Sequence, residues 1–156
     1  MSLDIDKISE VITNTLKLLD LSEDQFAISS DEFDAVSVQI NLPEDQTGIY
    51  IGNHGEGISS LQLLLALMLS QRTGDWIKLS ININDYKQRR EESLCFLGDN
   101  AAAKALELKQ EIIIPNLSSY ERRIIHLHLQ KNPAITSQSR GEGKNRQLLI
   151  LPKVKA

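Results

Sequence analysis

Cysteine is nearly absent from this 156-residue chain: Cys95 stands alone. A single thiol cannot form an internal disulfide or hold a metal cluster, and a reducing cytosol is its simplest home. Aromatic residues make up only 4%, so any nucleic-acid surface has few stacking platforms and a modest base preference. Long apolar runs are missing too. A membrane span needs roughly 18 residues, whereas the longest apolar stretch, Leu61 to Leu69, is half that, which argues against membrane insertion. The N-terminus lacks the basic-then-apolar order of a secretory leader. Also missing are a paired-histidine metal spacing, a P-loop and a nucleophile elbow. Cys95 sits between Leu94 and Phe96, the setting of a small packed residue rather than a nucleophile. The chain therefore reads as a non-enzyme with no metal and no cofactor.

A net positive charge is also lacking: the total is −4. The average hides an asymmetry. Residues 1–115 carry nine basic and nineteen acidic side chains, whereas residues 116–156 carry eight basic and two acidic ones. A short basic module on an acidic body is the pattern of a chain whose one end meets a polyanion.

What is present is an alternation of helical and strand patterns. Ile5, Ile8, Ile12, Leu16 and Leu19 recur at steps of three and four, predicting an amphipathic helix over 4–20. Residues 25–29 and 35–42 read as strands joined by an acidic turn, with Val36, Val38 and Ile40 alternating. The leucines of 58–71 fall on nearly every face, which predicts a helix buried on more than one side. Residues 76–84 alternate as a strand. Asp85 reads as the N-cap of a long charged helix to about Gln110, weakened midway by Gly98 and Asn100. A short strand at 111–115, a helix over 118–131 and two strands, 134–139 and 146–151, complete the chain. The fold class is α+β, with one unit over 1–84 and a second over 85–156 that includes the long helix.

Two motifs carry chemistry. Gly52-Asn53-His54-Gly55 forms G-x-x-G before an apolar helix. Glycines there let backbone approach a sugar-phosphate strand, and a helix start offers unpaired N–H groups. In the second motif, Arg122 and His126 lie one helical turn apart. On a wheel of roughly 100° steps, Tyr120, Ile124, Ile125, Leu127 and Leu129 form a broad apolar arc that also holds His128, which predicts a packed His128. Arg122, Arg123, His126 and Gln130 cluster opposite, a polar face able to hold a phosphate and hydrogen-bond to sugar or base.

The first motif, in its order of helix, strands, G-x-x-G, helix and strand, resembles the bacterial, type II form of the KH domain. That domain clamps single-stranded nucleic acid at its glycine loop. Where such loops usually carry Lys or Arg, this one has Asn53 and His54 followed by Glu56, so its attraction for phosphate is weaker. The second motif, followed by "AITSQSRGEGKNRQLLILP", resembles the R-3-H domain, a small single-stranded nucleic-acid-binding fold. Thr136, Ser137, Ser139, Gly141 and Arg146 stand near that family's T-x-S-x-G and Arg positions. Together with "DYKQRREESL" and "YERRIIH", the two units look like the bacterial Jag family over about residues 4–152. The family's separate N-terminal Jag domain has no room in this chain.

The resemblance implies a cytoplasmic single-stranded RNA-binding protein, able also to take single-stranded DNA, that acts near cell division or cell-wall synthesis. It also implies a small KH-only protein, or a second copy, as a partner. Residues expected at the nucleic acid are Arg122, Arg123, His126, Gln130, Ser139, Arg140 and Arg146, with Gly52, Asn53, His54 and Gly55 as the weaker contact. The rival reading is an adaptor whose KH-like unit dimerises or docks a partner without RNA.

Overall fold

The computed structural model describes residues 4–154. It is α+β and divides into two units, one ending at Lys87 and one beginning at Gln88.

In the first unit, helix α1 (Ile5–Leu18) is capped by Asp4, whose carboxylate accepts from the Lys7 N–H, and buries Ile8, Ile12 and Leu16. Strands β1 (Phe26–Ser30) and β2 (Val36–Ile40) pair antiparallel in the register Phe26↔Ile40 to Ser30↔Val36. The acidic turn between them has a specific use: Asp31 accepts from the N–H groups of Phe33 and Ala35, each at 2.9 Å. Helices α2 (Glu44–Ile51) and α3 (Glu56–Thr73) then cross over to β3 (Leu79–Ile83), which runs parallel to β2. The sheet order is β1-β2-β3. A parallel pair requires such a crossover. Asn84 ties the strand ends together, donating to the Leu42 carbonyl at 2.6 Å and accepting from the Leu42 N–H at 2.8 Å.

Three expectations are corrected here. Helix α2 went unread because EDQTGIYI has no apolar periodicity, and none of its residues is buried. Helix α3 buries one face only, through Ile58, Leu61, Leu65, Ala66 and Leu69, while Leu63, Leu64 and Leu67 stay exposed. Asp85 and Asn84 both have left-handed φ, 57° and 48°, so a tight turn rather than an extended capping residue precedes the next helix.

Helix α4 (Tyr86–Leu108), which belongs to the second unit from Gln88 on, runs unbroken through Gly98 and Asn100. Strand β4 (Ile112–Ile114), helix α5 (Ser119–Leu129) and the hairpin β5 (Ile135–Arg140) and β6 (Gln147–Pro152) follow, with sheet order β4-β6-β5. The core joins Leu94, Ala101, Ala105, Ile114, Ile125, Leu129, Ile135, Leu148 and Ile150. Burying Ile125 and Leu129 stabilises by roughly 1.5–3 kcal/mol each. Gly98 faces this contact: a Cβ built there would lie 2.9 Å from Ile125 Cγ2. The glycine marks a close helix crossing rather than a weak point.

Candidate nucleic-acid interface

Helix α5 is set by its first turn. Ser118 Oγ accepts from the Glu121 N–H at 3.1 Å, and Glu121 accepts from the Ser118 N–H at 2.9 Å, a reciprocal capping box. Arg90 on α4 donates to the other Glu121 oxygen at 2.9 Å. Glu121 is thus a buried carboxylate with its acceptor sites occupied, 4% exposed.

The buried side of α5 is Glu121, Arg122, Ile125 and Leu129. This corrects the placement of Arg122. Expected on a wet polar face, it is 8% exposed and its guanidinium is spent internally. Nη1 donates to the Leu117 carbonyl at 2.6 Å and reaches the Arg146 carbonyl at 3.5 Å, and Nη2 donates to Ser119 Oγ at 3.0 Å. The wheel explains why. The single apolar arc expected from sequence does not hold: Ile125 and Leu129 lie roughly 60° and 20° from Arg122, beside it rather than opposite, whereas Tyr120 and Leu127 lie roughly 140–160° away. The core took the first pair, so Arg122 fell inside, while Tyr120 and Leu127 face outward at 64% and 48% exposure. Tyr120 donates its hydroxyl to Glu91 at 2.8 Å, and that bond raises the phenol's pKa.

His126 keeps a partly open position. Its Nδ1 lies 2.6 Å from Ser137 Oγ on β5, and its Nε2 lies 3.2 Å from the Gln130 amide nitrogen. With that amide donating to Nε2, the Nδ1–H is left to donate to Ser137. Helix and strand are thereby stitched by Gln130–His126–Ser137. From sequence Ser137 stands near a family position but outside the expected contact residues. The signal was available, since residues 135, 137 and 139 share one strand face and Ile135 is buried. His128 is corrected as well: it is not in the core but bonds Asp99 on α4 at 2.8 Å with its side chain 30% exposed.

In the same unit Arg123, Ser139, Arg140, Lys144 and Arg146 are exposed, as is Gln130 at one end of the line. Arg140 lies 3.8 Å from Glu111, a solvated pair of little energetic weight. Gly141 turns the hairpin at φ 96°, where a Cβ would meet the Asn145 carbonyl at 2.8 Å. On α4, burial, then Asp99 and Glu91, push the Cys95 thiol up, which suppresses the thiolate a nucleophile needs.

The glycine loop in the first unit has a different logic. Gly52 and Gly55 have φ of 70° and 82°. A Cβ on Gly52 would meet Gly57 N at 2.7 Å, and one on Gly57 would meet the Tyr50 carbonyl at 2.3 Å. The glycines let α2 and α3 close on each other, and Gly57, not singled out from sequence, is as constrained as the other two. Asn53 and His54 are exposed beside Glu56, with no lysine or arginine in the loop.

Residues 92–152 match the R-3-H domain family. The chain is 34% identical over 113 residues to the RNA-binding protein KhpB of Clostridium symbiosum, covering 72% of this chain and 51% of that protein. The chain belongs to the Jag/KhpB family. Against the RNA-binding protein KhpB of Bacillus subtilis it is 30% identical over 116 residues, covering 73% of this chain and 56% of that protein. Against the RNA-binding protein KhpB of Streptococcus pneumoniae D39 it is 28% identical over 148 residues, covering 94% of this chain and 45% of that protein. The chain spans about half the length of these KhpB relatives. Among the described residues, no helix is long and apolar enough to cross a membrane, and no cluster of His, Cys, Asp and Glu could hold a metal ion.

Proposed function

We propose that this Jag/KhpB-family chain binds single-stranded RNA through its R-3-H unit, without catalysing a reaction, as a cytoplasmic post-transcriptional regulator or RNA chaperone linked to cell division or cell-wall elongation. The observation that carries the reading is the Gln130–His126–Ser137 line, 3.2 and 2.6 Å per step, partly open in a unit where exposed Arg123, Arg140, Lys144 and Arg146 supply cations. Phosphates meet the cations, and sugar or base edges meet the polar line. Arg122 acts as a positioning residue: it fixes the start of α5 against the carbonyls of Leu117 and Arg146. Few aromatics are present, so base preference is modest. The first unit reads as a type II KH domain, in which Asn53, His54 and the backbone of Gly52 and Gly55 make a lesser contact. A small KH-only protein or a second copy is a natural partner for that unit.

Titration of a labelled oligouridine at two salt concentrations tests this. Affinity should fall steeply with salt, by a log–log slope of about 0.7 per phosphate contact, and Arg123→Ala with Arg146→Ala should flatten it while Asn53→Ala changes it little. A salt-insensitive complex, or none at micromolar protein, would favour the adaptor reading.

A further inference from the structure

We propose that the free edge of β1, with the groove beside α1, docks an extended basic segment of another protein as a fourth strand of the first unit's sheet. In the order β1-β2-β3 the outer strands are β1 and β3, and each leaves a row of backbone N–H and C=O groups outside the ladder. The two edges are treated differently. On β3, Gln62 from α3 accepts from the Ile81 N–H at 3.1 Å. No comparable side-chain bond to the β1 backbone exists among the described residues. Strand β1 reads FAISS, with no charge, proline or lysine to blunt it, the devices that normally protect an edge from pairing. Alongside runs a groove of about 250 Å³ lined by Ile5, Ile8 and Ser9 of α1 and by Ile28, Ser30 and Val36. An added strand points alternate side chains to each face, so its inward ones reach this groove. Addition of this kind draws affinity from main-chain bonds and specificity from such pockets.

Charge selects the occupant. Up to Lys87 the chain carries five basic and fourteen acidic residues, a net −9. Asp24 stands just before β1, Glu32 and Asp34 just after it, and Asp6 and Glu10 are interleaved with the groove-lining residues of α1; all are exposed. Phe33, 88% exposed at the hairpin turn, adds an apolar contact at one end. A polyanion is repelled by this edge, and a peptide alternating Lys or Arg with β-branched residues fits it in pattern and charge.

The test uses the full chain and a fluorescein-labelled peptide alternating Lys and Val, followed by anisotropy and by amide hydrogen exchange. The peptide should saturate at micromolar concentration, weaken with salt and slow exchange at β1. Ile5→Lys should weaken it about tenfold, as should Asp24→Lys with Glu32→Lys, whose positions are exposed and spare the core. Oligouridine affinity should be unchanged in all of them, which separates this edge from the R-3-H surface. Equal binding of a Glu-Val peptide would overturn the proposal, as would insensitivity to both variants. So would slowed β1 exchange caused by oligouridine, or by raised protein concentration alone, which would assign the edge to nucleic acid or to a second copy.

Discussion

Arg122 and Arg123 are neighbours in sequence with opposite fates. Arg123 is solvated, while Arg122 is 8% exposed and gives its donors to Leu117, Ser119 and Arg146. Truncating Arg122 orphans the buried Leu117 carbonyl and leaves a void, so Arg122→Ala should destabilise the unit by roughly 2–4 kcal/mol. Arg122→Lys should restore little, because an ammonium lacks the planar fork. Arg123→Ala should stay within about 0.5 kcal/mol of wild type yet weaken oligouridine binding. Urea unfolding beside anisotropy separates the two effects. Gly98 makes a second case. Replacing glycine by alanine in a helix ordinarily gains about 1 kcal/mol, but here the new methyl would lie 2.9 Å from Ile125 Cγ2, a stiff branched side chain that is fully buried. Overpacking of about 1–3 kcal/mol should win, and Gly98→Ala should lower the urea midpoint. A raised midpoint would mean the crossing is looser than its geometry.

At the scale of elements, the β1–β2 turn is a charged device. The N–H groups of Ala35 and then Phe33 hold the Asp31 carboxyl below its ordinary 3.8. A lowered folded-state pKa contributes stability above the unfolded value, and it is lost as pH falls through the folded one. The advantage of wild type over Asp31→Asn should therefore be full near neutral pH and shrink as pH drops below about 4; thermal unfolding across that range measures it. Elements with a strong period were legible: α1 from Ile8, Ile12 and Leu16, and β2 from Val36 and Val38. Helix α2 was not, because only Tyr50 and Ile51 at its end pack against the core, and only in part, which leaves no repeat to read. The sidedness of α3 and α5 was also hidden. Leucines on every face of α3, and two separate apolar groups on α5, leave open which side meets the core.

For the whole molecule, charge divides as structure does: net −9 up to Lys87 and +5 from Gln88 on. Saturating oligouridine should accordingly slow amide exchange in α5 and the β5–β6 hairpin and leave the start of α3 nearly unchanged. Equal protection at both would make the glycine loop a main contact instead of a lesser one. By itself the sequence determined the α+β class, the two-part organisation of charge, most strand and helix positions and the Arg–His motif, since local periodicity and composition are properties of neighbouring residues. Only the tertiary structure decided that Arg122 is an internal brace, that Ser137 completes the line through His126, that Gly98 and Gly57 serve close packing, and that β1 is left as an open edge. Each of these depends on which distant segment arrives opposite a residue, and a linear chain does not carry that until hydrophobic burial has chosen one face over another.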